Sequence, residues 1–320
     1  MKKLIKLLLL VGIIALSYIT IKEPQLTAKV QQTVSNYIKK ETKTEQMDMT
    51  IYFKNAEGYV VPITRKVNKE EATFDNVLNL MVDNEENSKI AAKNGLLPAV
   101  VAGSIKSVQV DGTTAKVSLN DKSAQFVDKS DESAFVTSII YALTEYKNVD
   151  GVMFDLSNSD KLPFGTEMNK LYYRENINKI KYSKLAKSKQ TMYLAKKCDS
   201  VYNYIPYSVY NRKSNISLKE VLSIHFNLCS DTKFSSMIFA DNAKLKEILI
   251  KGDSVYIHLS KEFEKMDKAM LNMYKNSVSL TVKENSDSIE KVRFIIDQNE
   301  ENNGIMETVL IKDYSNQERK

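Results

Sequence analysis

A long internal repeat limits what this chain can fold into more than any other feature. Thr50-Ile51-Tyr52-Phe53 matches Thr191-Met192-Tyr193-Leu194, and Val61-Pro62-Ile63 matches Ile205-Pro206-Tyr207. Val77-Leu78 falls on Val221-Leu222, Ser104 to Asn120 on Lys244 to Ser260 without a gap, and Val149 to Leu156 on Ile289 to Ile296. The offset stays within 140–144 residues, far beyond the roughly 20–50-residue periods of solenoids. A period of that size marks a duplicated domain. The 320 residues hold two such domains, each able to bury about two thirds of its unfolded surface without staples.

Each copy reads in the same order. A short strand, Thr50 to Phe53 or Thr191 to Leu194, is followed by a strand around Pro62 or Pro206. Proline offers no ladder donor, so this second strand belongs at an edge or ends early. A helix follows, with Phe74, Val77, Leu78 and Met81 on the i, i+3, i+4, i+7 stripe. In copy two Leu218, Val221, Leu222 and Phe226 repeat it, and Ser217 with Glu220 forms a capping box at the helix start. A hairpin comes next. Val108 and Val110 precede Asp111-Gly112, and Ala115, Val117 and Leu119 alternate after it. Gly252-Asp253 takes the turn's place in copy two, before Val255, Ile257 and Leu259. One face of each hairpin is apolar, so helices cover one side of the sheet only. A second helix spans about Asp131 to Glu145, with Val136, Ile139, Ile140 and Leu143 inward. Its counterpart, Lys268 to Glu284, is less regular. Val152 to Leu156 and Val292 to Ile296 close the two copies as strands. The fold class is therefore α+β: two tandem copies of a small α/β sandwich.

Motifs for chemistry are missing. The sequence has no P-loop, no dinucleotide-binding glycine pattern after a strand, no HExxH, no CxxC and no GxSxG elbow. With 2 His, 2 Cys and no Trp, residues for metal or redox centres are scarce. His225 and His258 have no counterparts in copy one, where Met81 and Ser118 stand, and both read as structural. Asp155 aligns with Ile295 rather than with Asp297, so the repeat marks no carboxylate pair for glycoside hydrolysis. The catalytic, cofactor-binding and metal sets are each none, and no cofactor is expected. Cys198 and Cys229 fit no motif; they either pair in an oxidising compartment or pack as free thiols.

The net charge of +6 rests on 46 basic residues, of which five are Arg. Lysine is a solvated point charge without the arginine fork that reads bases and phosphates, so a nucleic-acid partner is not expected. The stretch 168–189 is charged and tyrosine-rich, with Lys179, Lys181, Lys184, Lys187 and Lys189. It reads as a basic linker, with a polyanion strip as the sharper alternative.

The N-terminus sets the compartment. Lys2, Lys3 and Lys6 flank an apolar run over residues 4–21, 18 residues long and near the minimum for a membrane span. Its basic flank stays in the cytoplasm and the rest of the chain lies outside. Residues 1–22 are a transmembrane anchor or a signal peptide with Ala15-Leu16-Ser17 as cleavage site; the anchor is favoured. A stalk covers 23–47, the first domain 48–167, the linker 168–189 and the divergent second domain 190–315.

In copy one the runs TIYFKNAEGYVVPITRKV, GLLPAVVAGSIKSVQVDGTTAKVSLN and SIIYALTEYKNVDGVMFDL resemble the GerM domain of bacterial sporulation and germination proteins. Pro62-Ile63-Thr64-Arg65, Leu97-Pro98 and Tyr141-Ala142-Leu143-Thr144 carry the likeness. Gly103 comes later than the family's usual glycine, and Asp155-Leu156 replaces its Asp-Gly. Copy two keeps the frame and loses the Leu-Pro pair and the Tyr-x-Leu-Thr. The resemblance implies a ring-building-motif-like fold without catalytic residues or cofactor. It implies a membrane-anchored assembly protein, outside the cytoplasm, that stabilises the envelope complex between mother cell and forespore. Partners would be other sporulation envelope proteins, in a ring-forming homo- or hetero-oligomer. The alternative is a module for peptidoglycan or teichoic acid, with Tyr172, Tyr173, Tyr202, Tyr204, Tyr207 and Tyr210 as aromatic platforms. The family's early lipid-attachment cysteine is absent, since the first cysteine is Cys198.

Overall fold

The computed structural model describes residues 45–157, 159–180, 185–296, 305–310 and 316–319. The membrane segment at 4–21 and nearly all of the stalk lie outside the described residues. No helix among the described residues is long and apolar enough to cross a membrane.

Each half opens with a two-stranded ribbon: β1 (Gln46–Lys54) with β2 (Val60–Asn68), and later β7 (Ser188–Cys198) with β8 (Val201–Asn211). Pro62 and Pro206 stand inside β2 and β8, and Pro206 pairs with Tyr193. A two-stranded ribbon has only edge strands, so the missing proline N–H can face away from the ladder.

Behind the first ribbon come α1 (Phe74–Asn79), α2 (Glu85–Lys93), the hairpin β3 (Ile105–Asp111) and β4 (Thr114–Leu119), α3 (Lys129–Leu143), β5 (Gly151–Leu156) and β6 (Leu171–Tyr173). The second half repeats this with α4 (Leu218–Cys229), β9 (Leu245–Lys251), β10 (Ser254–Leu259), α5 (Lys268–Asn285), β11 (Lys291–Ile296) and β12 (Ile305–Leu310). The strand orders are β3-β4-β5-β6 and β9-β10-β11-β12. In both sheets the central pair is parallel and the hairpin pair antiparallel. A parallel neighbour needs a crossover, and α3 and α5 supply it. Ala115, Val117, Leu119, Val152 and Phe154 are buried from one face of the first sheet, and Val255, Ile257, Leu259, Val292 and Phe294 from one face of the second.

The turns differ in detail from the sequence expectation. Asp111 is the last residue of β3, paired with Thr114, and Gly112 is the first loop residue at φ 60. Gly252 holds the same place at φ 58, between Lys251 and Ser254. Both hairpins therefore turn on a glycine at the first loop position, where a positive φ is required.

Three elements were not read from the sequence. The helix α2 buries only Asn87 and Ala91, so it shows no apolar stripe. Its start is fixed by Asn84, whose side chain accepts the Asn87 N–H at 2.9 Å. The strands β6 and β12 are the other two. β6 lies within 168–189, where it pairs with Gly151 to Met153.

The capping box on α4 is formed. Ser217 Oγ accepts the Glu220 N–H at 3.3 Å, and Glu220 accepts the Ser217 N–H at 2.9 Å. The Lys213 ammonium first, then the Ser217 N–H, holds the Glu220 carboxyl down at about 2. Ser217→Ala removes an N-cap and is expected to cost about 1 kcal/mol, read as a lower urea midpoint with unchanged m-value.

Candidate interaction surface

The two ribbons meet along β2 and β8, and side chains bridge them. Asn178 Nδ2 donates to the carbonyls of Val60 at 2.7 Å and Pro206 at 2.8 Å, while its Oδ1 accepts the Val60 N–H at 2.8 Å. Asn316 Nδ2 donates to Pro62 at 2.8 Å and Tyr204 at 2.9 Å, while its Oδ1 accepts the Tyr204 N–H at 2.7 Å. Val60 and Tyr204 are 144 apart, as are Pro62 and Pro206. Each asparagine therefore satisfies the residue two before one proline and the carbonyl of the other proline. The two clasps are equivalent by the repeat.

The backbone repeats the exchange. After the first sheet, the chain crosses to β8: Ile180 N–H donates to Ser208 at 3.0 Å, and Ser208 N–H to Ile177 at 2.8 Å. After the second sheet it crosses to β2: Glu318 N–H donates to Thr64 at 2.9 Å, and Thr64 N–H to Asn316 at 2.6 Å. Arg65, part of the family-like Pro-Ile-Thr-Arg run, meets Glu318 at 3.5 Å. Each half thus lends a short segment to the other's ribbon. A free strand edge invites foreign pairing, and these segments close it.

Further contacts fix the seam. Gly95, at φ 67, lies so close to the turn after β7 that a Cβ would sit 2.0 Å from the Cys198 carbonyl oxygen. Only glycine allows that approach. Lys196, buried at 8% side-chain exposure, donates to Glu57 and to the Lys233 carbonyl, both at 2.7 Å. Tyr59 and Tyr207 meet edge to face at 5.2 Å.

A cleft of about 180 Å³ opens where Tyr52, Tyr141, Arg174, Lys189, Tyr193 and Glu284 converge. Tyr52 donates to Glu145, and Tyr193 to Glu284 at 3.3 Å. These are repeat-equivalent pairs. Arg174 donates to Glu145 at 2.6 Å and lies over the Tyr141 ring at 4.5 Å. Burial raises the phenols of Tyr52 and Tyr193 and lowers the Lys189 ammonium. With the tyrosines neutral, two carboxylates balance two cations. The cleft reads as an electrostatic latch.

His225 is fully buried on α4. Its Nε2 lies 2.9 Å from the Tyr193 carbonyl and 2.9 Å from Ser277 Oγ. Burial lowers it to about 4, so it is neutral at pH 7. His258 lies on β10, paired with Ile295 of β11. Among the described residues no three His, Cys, Asp or Glu cluster as metal ligands. Cys198 and Cys229 are free and buried, and burial raises both thiols. A thiol reagent is expected to label neither cysteine quickly in the native protein and both after denaturation.

The repeat spacing extends to the clasps. Asn178 and Asn316 are 138 apart, and Glu145 and Glu284 are 139 apart.

Residues 50–161 match the family model described as Germane, sporulation and spore germination. No curated protein matches the chain. The tandem GerMN domains of the sporulation protein GerM from Bacillus subtilis are similar in structure, at a TM-score of 0.63 and 20% identity. They cover 86% of this chain and 100% of that one. The first GerMN domain of the same protein gives 24% identity over 40% of this chain and 98% of that one, at a TM-score of 0.36. The first half thus matches a sporulation and germination family model, and the fold of both halves follows the tandem GerMN arrangement.

Proposed function

We propose that this protein is a membrane-anchored, non-catalytic assembly protein of sporulation and germination. It acts outside the cytoplasm and stabilises the envelope complex between mother cell and forespore. The carrying observation is the sporulation-family match of the first half within a tandem GerMN-like fold. The basic-flanked apolar segment at 4–21 supports the membrane placement. The seam supports a scaffold role, because it holds both sheets in one relation to each other. Its partners are other envelope proteins of sporulation, arranged as a homo- or hetero-oligomeric ring.

The wall-polymer alternative asked for tyrosine platforms. Tyr207 is fully buried, Tyr204 hydrogen-bonds Asn276, and Tyr210 bonds Asn176, so these three are tied into the seam and core. A fluorescent fusion imaged through sporulation tests the assembly role. Signal confined to the engulfing septum and then the forespore envelope is expected. Uniform membrane signal, together with normal spores from a deletion strain, would overturn it.

A further inference from the structure

The first domain carries an open groove of about 900 Å³. One wall is a face of α3 that includes Ser133, Thr137 and Ile140, and the other is β6 with the residues that flank it. Phe164 and Tyr173 line it while 40% and 50% exposed.

Phe164 is held there by a buried carboxylate. Glu132 is 2% exposed and accepts the Phe164 N–H at 2.6 Å, the Thr166 N–H at 2.9 Å and the Thr166 hydroxyl at 2.6 Å. A carboxylate out of water is costly unless it is bonded, and here its bonds all go to the loop that carries Phe164. Gly165, at φ 104, gives that loop its shape. The aromatic ring is therefore exposed on a rigid support, the arrangement of a preorganised contact.

The lining discriminates between ligands. Lys129, Lys170 and Lys179 are balanced by Glu57, Glu132 and Glu175, so the groove offers a polyanion no net attraction. An added peptide strand is also poorly served. β6 is three residues long, and its Tyr173 carbonyl already accepts the Glu175 N–H at 2.8 Å. Short, capped edges are weak templates for strand addition. What fits is an uncharged, extended polymer with both apolar faces and hydroxyl groups. The C–H faces of sugar rings suit the electron-rich faces of Phe164 and Tyr173, and Ser130, Ser133, Thr137 and Asn176 offer polar groups along the same groove. The volume lies in the range of ligand clefts.

We propose that this groove binds an uncharged linear polysaccharide, with Phe164 and Tyr173 as stacking platforms. The site stands beside the assembly role and does not depend on it. The full chain in detergent is co-sedimented with insoluble chitin, an uncharged linear amino-sugar polymer, at about 0.05 and about 0.5 M salt. The same fraction pellets at both salts, and an uncharged amino-sugar oligosaccharide competes. The double variant Phe164→Ala, Tyr173→Ala weakens binding about tenfold or more while its far-UV circular dichroism at the assay temperature stays that of the parent. Absence of pelleting at either salt, loss of pelleting at high salt, or a variant that pellets like the parent would each overturn the proposal. Septal localisation is unaffected by any of these results.

Discussion

Asn316→Ala lowers the unfolding free energy by about 3 kcal/mol, because it strips partners from three backbone groups at once. The Tyr204 N–H, the Tyr204 carbonyl and the Pro62 carbonyl all depend on this one side chain. Asn316 is 6% exposed, so water does not readily replace it. Each unsatisfied buried group costs about 1–3 kcal/mol, and relaxation of the short C-terminal segment recovers part of the sum. Asn178→Ala removes the equivalent bonds and costs about 2 kcal/mol, less because Asn178 is only half-buried and water can enter. The two clasps grip the same pair of strands, so the double variant should depart from additivity. Urea unfolding of the four proteins measures all these quantities. Single variants that both fall within about 0.5 kcal/mol of the parent would show that the clasps are ornamental.

Acid is expected to destabilise the protein through His225. Its folded pKa is about 4, against an ordinary 6.5, and burial is the cause. The unfolded chain takes up a proton between those two values and the folded protein does not. This contribution to stability is therefore fully present above pH 6.5. It falls as the pH drops towards 4, and then levels. The span corresponds to about 3 kcal/mol. His225→Met places the copy-one residue, Met81, in the copy-two helix. Ser277 Oγ also donates to the Tyr193 carbonyl, at 2.5 Å, so that acceptor keeps a partner. The variant should be near the parent in stability at pH 5 and should lose this component of the pH dependence. A variant as acid-sensitive as the parent would remove His225 from the account.

The alternating hairpins, the Ser217–Glu220 cap and the long helix α3 were legible because each follows a simple period or capping rule. The helix α5 looked irregular for a physical reason. Beside the buried Tyr274, Val278 and Val282, it carries Ser277, Thr281 and Asn285, which are polar, four apart, and serve the edge of β7. Ser277 donates to the Tyr193 carbonyl, Thr281 accepts the Tyr193 N–H at 3.0 Å, and Asn285 donates to the Thr191 carbonyl at 2.7 Å. Polar residues set among the buried apolar ones blur the hydrophobic stripe that marks a helix in sequence. The seam was hidden differently. Its clasps lie at 178 and 316, in stretches that composition alone reads as a linker and a tail. The groove was invisible because Glu132, Phe164 and Tyr173 are far apart in sequence and share no motif.

The two copies form one locked body, with each half completing the other's ribbon. Calorimetric unfolding of residues 45–320 tests it most directly. A single transition is expected, with calorimetric and van't Hoff enthalpies that agree, and it splits in the Asn178→Ala, Asn316→Ala double variant. Two separable transitions in the unaltered protein, each sized for one domain and indifferent to the clasp substitutions, would contradict it.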